Sequence, residues 1–211
     1  FVYVKGERVS AINALDKFGI NPVVLKLRDG IGLINGTSCM TGIGINNVVN
    51  AELLLEWSIF CSSCINELME SFDDSMSEEL NAVKYHSGQK SIAKSMREIL
   101  SDSSRMKNRV EYFKISENGN SEVFEKKVQE YYSIRCVPQI LGPILDTIDQ
   151  TKTVLENELN STNDNPIVDV ESGSVFHGGN FHGDYVSLEM DKLKIVVTKM
   201  MMLCERQLNF L

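Results

Sequence analysis

Cysteine is sparse in this chain: five residues in 211, Cys39, Cys61, Cys64, Cys136 and Cys204. An odd, scattered set builds no disulfide framework and reads as reduced, buried thiols of a cytosolic protein. Basic charge is short as well. Lys and Arg total 21 against 29 Asp and Glu, a net charge of −8, which argues against general nucleic-acid binding. No signal peptide is visible, and no run of about 20 apolar residues spans a bilayer. The longest uncharged stretch, residues 31–51, carries Asn35, Thr37, Ser38, Asn46, Asn47 and Asn50, too polar for a membrane span. A cytoplasmic location is the expectation.

Several chemistries lack their signatures. Gly36, Gly42 and Gly44 form neither a Walker loop nor a dinucleotide fingerprint. No Gly-x-Ser-x-Gly elbow occurs. His177 and His182 lack ligand spacing, and no Cys or carboxylate cluster joins them, so no metal is expected. Internal repeats are absent.

What is present is mostly helical period. The chain opens with alternating Phe1-Val2-Tyr3-Val4, a Lys5-Gly6-Glu7 turn and Arg8-Val9, which predict a small hairpin. Asn13 to Phe18 suits a short helix stopped by Gly19, and Asp29-Gly30 reads as a turn. From Asn46, the recurrence of Val49, Leu53, Trp57, Phe60, Cys64 and Leu68, widened by Leu54, Ile59, Cys61 and Ile65, predicts a helix of roughly 25 residues buried in a bundle. A second helix carries Ile92, Met96 and Ile99. Residues 101–121 are a polar connection. Helical spacing resumes at Val123, is interrupted by Pro138 and Gly142-Pro143, and continues to Leu159, with Pro143 suited to a first helical position. Residues 173–183 read as a glycine-rich loop before a last helix from about Asp184. Both chain ends fall in mid-pattern, so the expectation is a piece of a longer protein.

Chemistry concentrates in the breaks between helices. His177 to Gly183 places three glycines before a helix N-terminus, where free N–H groups and positive potential suit an anion or developing charge; a capped tight loop explains the pattern equally. Ile34-Asn35-Gly36-Thr37-Ser38 is either a polar ligand contact through the Asn35 amide or a turn with an N-cap. Gln129, Tyr132 and Arg135 fall at i, i+3 and i+6, one helix face. They would present an amide, a proton-exchanging phenol and a carboxylate-gripping guanidinium, or else a structural salt bridge. Cys61-x-x-Cys64 lies within an apolar stripe, which favours core thiols over a redox site. Met200-Met201-Met202 reads as core packing.

Four segments in order and register resemble the aromatic amino acid ammonia-lyases and related aminomutases. They are residues 33–38 (Leu-Ile-Asn-Gly-Thr-Ser), 132–139 (Tyr-Ser-Ile-Arg-Cys-Val-Pro-Gln), 163–166 (Asn-Asp-Asn-Pro) and 178–183 (Gly-Gly-Asn-Phe-His-Gly). The wording of residues 176–185 with Glu189-Met190-Asp191-Lys192 is most similar to a bacterial histidine/tyrosine ammonia-lyase branch. The resemblance implies a mainly α, long-helix bundle of L-aspartase/fumarase-like architecture. Residues 1–30 would be a strand-and-turn lead-in, and 31–211 a central bundle truncated at both ends.

It also implies removal of ammonia from L-His or L-Tyr to give urocanate or coumarate. The electrophile would be a methylidene-imidazolone, formed from an internal Ala-Ser-Gly that these 211 residues do not contain. By the resemblance, Asn35 would contact the prosthetic group and the substrate amine, and Tyr132 would assist proton transfer. Arg135 would bind the carboxylate, Gln129 would line the pocket, and Phe181 would pack against substrate and prosthetic group. It implies a homotetramer with shared active sites, and no turnover by the 211 residues alone. An aminomutase and a non-catalytic helical assembly module are the competing readings.

Overall fold

The apolar periodicities become helices, and the breaks become turns and two small hairpins. The computed structural model describes residues 1–114 and 128–211. They fall into two units, Phe1–Gly36 with Asp164–Phe181, and Thr37–Asn163 with His182–Leu211.

The first unit holds both hairpins. Strands β1 (Val2–Val4) and β2 (Glu7–Val9) pair antiparallel, Val2 opposite Val9. Lys5 and Gly6 both take positive φ, 51° and 87°, as a type I′ turn requires. Helix α1 (Ala11–Phe18) ends on Gly19 at φ 64°, whose N–H returns to the Asp16 carbonyl. Asp29-Gly30, expected as a turn, instead opens helix α2 (Asp29–Ile34). The Asp29 carboxylate accepts the Lys26 N–H at 2.9 Å, and an acid in the first turn suits the helix dipole. The second piece forms strands β3 (Ile167–Asp169) and β4 (Ser174–Phe176), an antiparallel hairpin with Ile167 opposite Phe176. The expected glycine-rich loop therefore contains a strand. Asp169 accepts the N–H groups of Glu171 and Ser172, and the Ser172 hydroxyl and amide hold its carboxyl below the usual range. Arg28 joins the two pieces, 3.9 Å from the Asp164 carboxylate and donating to the Asn165 carbonyl.

The second unit is a helical bundle. It contains α3 (Ser38–Leu68), a 3₁₀ turn (Asp73–Met76), α4 (Glu78–Ala82), α5 (Ser87–Ile99), α6 (Arg109–Lys114), α7 (Tyr132–Arg135), α8 (Val137–Leu159) and α9 (Asp184–Leu208). Its core joins Val48, Ala51 and Leu55 of α3, Ile92 and Met96 of α5, Leu141, Ile144 and Ile148 of α8, and Val186, Leu193 and Met200 of α9. Each Val, Leu, Ile or Met side chain among them contributes roughly 1.5–3 kcal/mol by leaving water. Helices α5 and α8 meet at two glycines. A Cβ on Gly142 would stand 2.6 Å from the Gln89 nitrogen, so only hydrogen fits. Beside that contact Asp146 of α8 accepts the Gly88 N–H and the Ser87 hydroxyl, at 2.8 and 2.9 Å, and so caps α5 from outside.

Further expectations need correction. The stripe Val49, Leu53, Trp57 and Phe60 of α3, expected to be buried, is exposed in this chain. Helix α3 starts at Ser38 rather than Asn46, its first turn closed by the Thr41 N–H on the Thr37 carbonyl at 2.8 Å, and Gly44 gives room for the Leu155 side chain, whose Cδ2 would stand 3.2 Å from a Cβ there. Pro143 lies inside α8, and Pro138 takes the N-terminal position. The thiols are free but not generally buried: Cys39, Cys61 and Cys204 are exposed. Of the methionine run, Met200 is buried while Met201 and Met202 are exposed. The resumption of helical spacing at Val123 lies outside the described residues.

By length and composition the segment Asp29–Leu68, with a mean hydropathy of 1.4 in its most apolar window, is apolar enough to cross a membrane. The buried face of α3 nevertheless carries Thr41, Ser62, Ser63 and Asn66, and Ser62 and Asn66 bond to neighbouring segments. That is the pattern of a core helix within protein.

Candidate active site

Helix α7 is a single turn of four residues. Tyr131 precedes it in extended conformation, and its carbonyl accepts the N–H groups of Ile134 and Arg135 at 3.0 Å. The turn stops because Pro138 has no N–H to give the Ile134 carbonyl four residues back; Cys136 takes the intervening bend before α8 begins at Val137. Ile134, 1 % exposed, anchors the turn in the interior. Tyr132 and Arg135 flank it. Tyr132 is 72 % exposed, and its hydroxyl makes no hydrogen bond among the described residues. The Arg135 guanidinium carbon lies 4.9 Å from the Tyr132 ring centroid, a cation–π contact that orients both side chains.

Arg135 lines a cavity of about 420 Å³ together with Gln129, Glu130, Gln139, Asp74 and Arg109. The two arginines differ in availability. Arg109 engages Asp74 through two nitrogens, at 2.7 and 3.3 Å, and donates to the Val128 carbonyl. The Nε of Arg135 is buried without a hydrogen-bond partner, and so is the Oε1 of Gln139. A buried donor left unpaired costs about 1–3 kcal/mol, so this cavity favours a ligand that accepts from a guanidinium and donates to an amide oxygen. An α-amino acid has both groups. Glu130, also buried, accepts the Phe72 N–H at 3.4 Å. The sequence reading missed Gln139; its signal was the spacing of four from Arg135 across the helix break.

Asn35 and Phe181 belong to the other unit. Asn35 ends α2 in extended conformation, its N–H bonded to the Ile31 carbonyl, and its side-chain amide makes no hydrogen bond among the described residues. Gly36 follows at φ 106°, a left-handed geometry suited to glycine. Phe181 is 38 % exposed. In the helical unit, Thr37 does not cap α3. Its hydroxyl donates to Glu158 and accepts from Asn163 Nδ2, the latter at 2.6 Å.

The remaining candidates resolve simply. The Gly178 N–H is occupied by Asn165 Oδ1 at 2.7 Å. His182 sits 3.4 Å from the Asp184 carboxylate. Among the described residues no three His, Cys, Asp or Glu side chains come together. Burial, with Cys61 nearby, pushes the Cys64 thiol above its usual value, the reverse of a reactive thiolate.

The sequence profile of the aromatic amino acid lyases matches residues 1–211. The chain belongs to this family. It is 37 % identical over 196 residues to a tyrosine 2,3-aminomutase of Myxococcus sp. (strain Mx-B0), covering 90 % of this chain and 37 % of that one. To a tyrosine ammonia-lyase of Cupriavidus metallidurans it is 37 % identical, covering 97 % and 39 %. For a histidine ammonia-lyase of Stigmatella aurantiaca the values are 34 %, 98 % and 38 %. A solved phenylalanine aminomutase of Pantoea agglomerans superposes with a TM-score of 0.92 at 38 % identity, over 98 % of this chain and 41 % of that one. The chain thus spans about two fifths of the length of these relatives. The family uses a methylidene-imidazolone prosthetic group. In the helical unit the residues present suit such a group, since the exposed Tyr132 phenol keeps its hydrogen-bonding capacity free.

Proposed function

We propose that the protein carrying this chain eliminates ammonia from an aromatic L-amino acid, L-Tyr or L-His, to give coumarate or urocanate. The observation that carries this reading is the unpaired Arg135 Nε beside the unpaired Gln139 Oε1, in one cavity and next to the Tyr132 phenol. In the elimination a proton leaves Cβ, ammonia leaves Cα, and the two carbons form the double bond. The methylidene-imidazolone, when bound, supplies the electrophile that makes the amine a competent leaving group.

The chain's own residues bind, orient and move protons. Arg135 holds the substrate carboxylate and thereby fixes the Cα–Cβ axis. Tyr132 exchanges a proton through its free phenol. Gln129 lines the pocket. By the family resemblance, Asn35 would contact the prosthetic group and the substrate amine, and Phe181 would pack against the aromatic ring. Without an Ala-Ser-Gly in these 211 residues, they are inert alone.

We assign a homotetramer to the whole protein. Val49, Leu53, Trp57 and Phe60 on the outer face of α3, with Leu188, Ile195 and Met201 on α9, are exposed apolar side chains, and their burial against further copies would supply the assembly energy. The five unbridged cysteines support a cytoplasmic location.

An aminomutase, which returns the ammonia to Cβ, is the second reading, favoured by the equal identity to the Myxococcus tyrosine 2,3-aminomutase. The test incubates the whole protein with L-Tyr, L-His and L-Phe separately, following conjugated acrylate by ultraviolet absorbance and free ammonia. Stoichiometric acrylate and ammonia establish the lyase and name its substrate. A β-amino acid with little free ammonia establishes the aminomutase. Neither product from any substrate overturns both readings in favour of an assembly role.

A further inference from the structure

A one-turn helix cannot satisfy its own last carbonyls. In α7 the Tyr132 carbonyl is served by the Cys136 N–H at 2.9 Å. The next two, on Ser133 and Ile134, face the interior, where an unpaired carbonyl is costly. Pro138 has no N–H to give to Ile134, four residues back.

Both carbonyls are served by buried side chains from other helices. Gln207 of α9, 3 % exposed, donates its Nε2 to the Ser133 carbonyl at 3.0 Å. Asn66 of α3, 0 % exposed, donates its Nδ2 to the Ile134 carbonyl at 3.2 Å. The two amides are themselves tied through Ser62. Its hydroxyl lies 2.9 Å from Gln207 Nε2 and 3.2 Å from Gln207 Oε1, and its carbonyl accepts Asn66 Nδ2 at 2.9 Å. Three polar side chains, buried between α3 and α9, thus hold the backbone of the turn that presents Tyr132 and Arg135.

We infer that Asn66 and Gln207, tied together through Ser62, are positioning residues for the reaction. They fix the place of the Tyr132 phenol and the Arg135 guanidinium by hydrogen-bonding the backbone between them, and they touch no substrate. The inference rests on the proposed function. Its physical basis is that α7 has one buried apolar anchor, Ile134, about which a single turn could pivot. Two donors arriving from different helices remove that freedom. Losing either donor leaves Ile134 buried but lets both functional side chains drift together, and a displacement of about 1 Å at a reacting group can cost on the order of 100-fold in rate.

The experiment compares Gln207→Met in the whole protein with wild type, using the amino acid that wild type consumes. Met keeps length and apolar bulk while removing the donor. Rates are expressed per folded protein, and Leu155→Ala, a core change in α8, controls for destabilisation alone. Gln207→Met is expected to raise KM about tenfold and lower kcat about tenfold, because carboxylate grip and proton transfer are carried on one turn. Leu155→Ala is expected to leave KM at the wild-type value. Combined with Arg135→Lys, the Gln207→Met loss should be smaller than alone, since both act on one contact.

A folded Gln207→Met protein with wild-type KM would overturn the inference. Should Gln207→Met fail to fold, Ser62→Ala decides. A KM raised about threefold supports positioning, and an unchanged KM overturns it. A wild-type protein inert on all three amino acids would overturn the functional reading and this assignment with it. Active wild type with an unaffected variant removes this assignment alone.

Discussion

A guanidinium with a buried, unpaired N–H is an unsatisfied demand, and Arg135 carries it into a cavity where the other arginine is already held by a carboxylate. Charge alone would make Arg109 and Arg135 equivalent; pairing separates them. Arg135→Ala in the whole protein is expected to raise KM and lower kcat together, each by roughly tenfold or more, because carboxylate grip both binds and orients. Steady-state kinetics with the turned-over amino acid check this, and unchanged constants would remove Arg135 from the site. At the same scale, the sequence spacing of Gln129, Tyr132 and Arg135 predicts one face of one helix. Only Tyr132 and Arg135 lie in α7. Gln129 precedes the helix and meets Arg135 at the same cavity instead. The grouping survives although the helical geometry invoked for it applies to two of the three.

Between elements, close approach decides more than propensity does. Helices α5 and α8 pack with Gly88 facing Gly142, and a Cβ on Gly142 would stand 2.6 Å from the Gln89 nitrogen and 2.7 Å from its Cα. Both are backbone atoms of α5, so no rotamer change relieves the clash. Gly142→Ala is expected to destabilise the fold by about 1–3 kcal/mol although alanine is the better helix former. Urea denaturation of the two proteins measures it, and a neutral or stabilising result would refute this crossing. Pro143 belongs to the same lesson. Sequence pattern places it at a helix start, yet α8 runs through it from Val137. Burial of Leu141, Ile144 and Ile148 on a continuous face outweighs the single hydrogen bond that a proline forfeits. The β3–β4 hairpin is less legible in the sequence than β1–β2: its strands of three residues lack the aromatic alternation of Phe1 to Val4, and the turn between them is closed by Asp169.

For the whole molecule, the informative surface is the outer side of α3. The stripe Val49, Leu53, Trp57, Phe60 and Leu68 supplied the strongest helical period in the sequence, yet in this chain it faces outward, Trp57 at 57 % exposure. The buried side instead carries Thr41, Gly44, Val48, Ala51, Leu55, Ser62 and Asn66, a less apolar set from which Ser62 bonds Gln207 of α9 and Asn66 donates to the Ile134 carbonyl of α7. A helix with two such faces requires more surface than one chain provides. Trp57→Asp combined with Phe60→Asp is expected to weaken self-association of the whole protein on the order of 100-fold, since two aromatic side chains would no longer be buried. Light scattering across a dilution series reads the change. An unaltered mass would place the assembly surface elsewhere.

By itself the sequence determined the class of this protein: long amphipathic helices, a hairpin at Lys5-Gly6, and four motifs that resemble one enzyme family. Those features are local, since hydrophobic period, turn chemistry and motif order need no partner to be read. Tertiary structure alone decided which side of α3 is core, which arginine is free, and what holds a four-residue helix in place. Each of those depends on a group distant in sequence: Leu155 against Gly44, Asp74 on Arg109, Asn66 and Gln207 on the carbonyls of α7. A hydrogen bond between residues 68 or 74 positions apart leaves no periodic trace, so folding had to bring its two ends together before it could be seen.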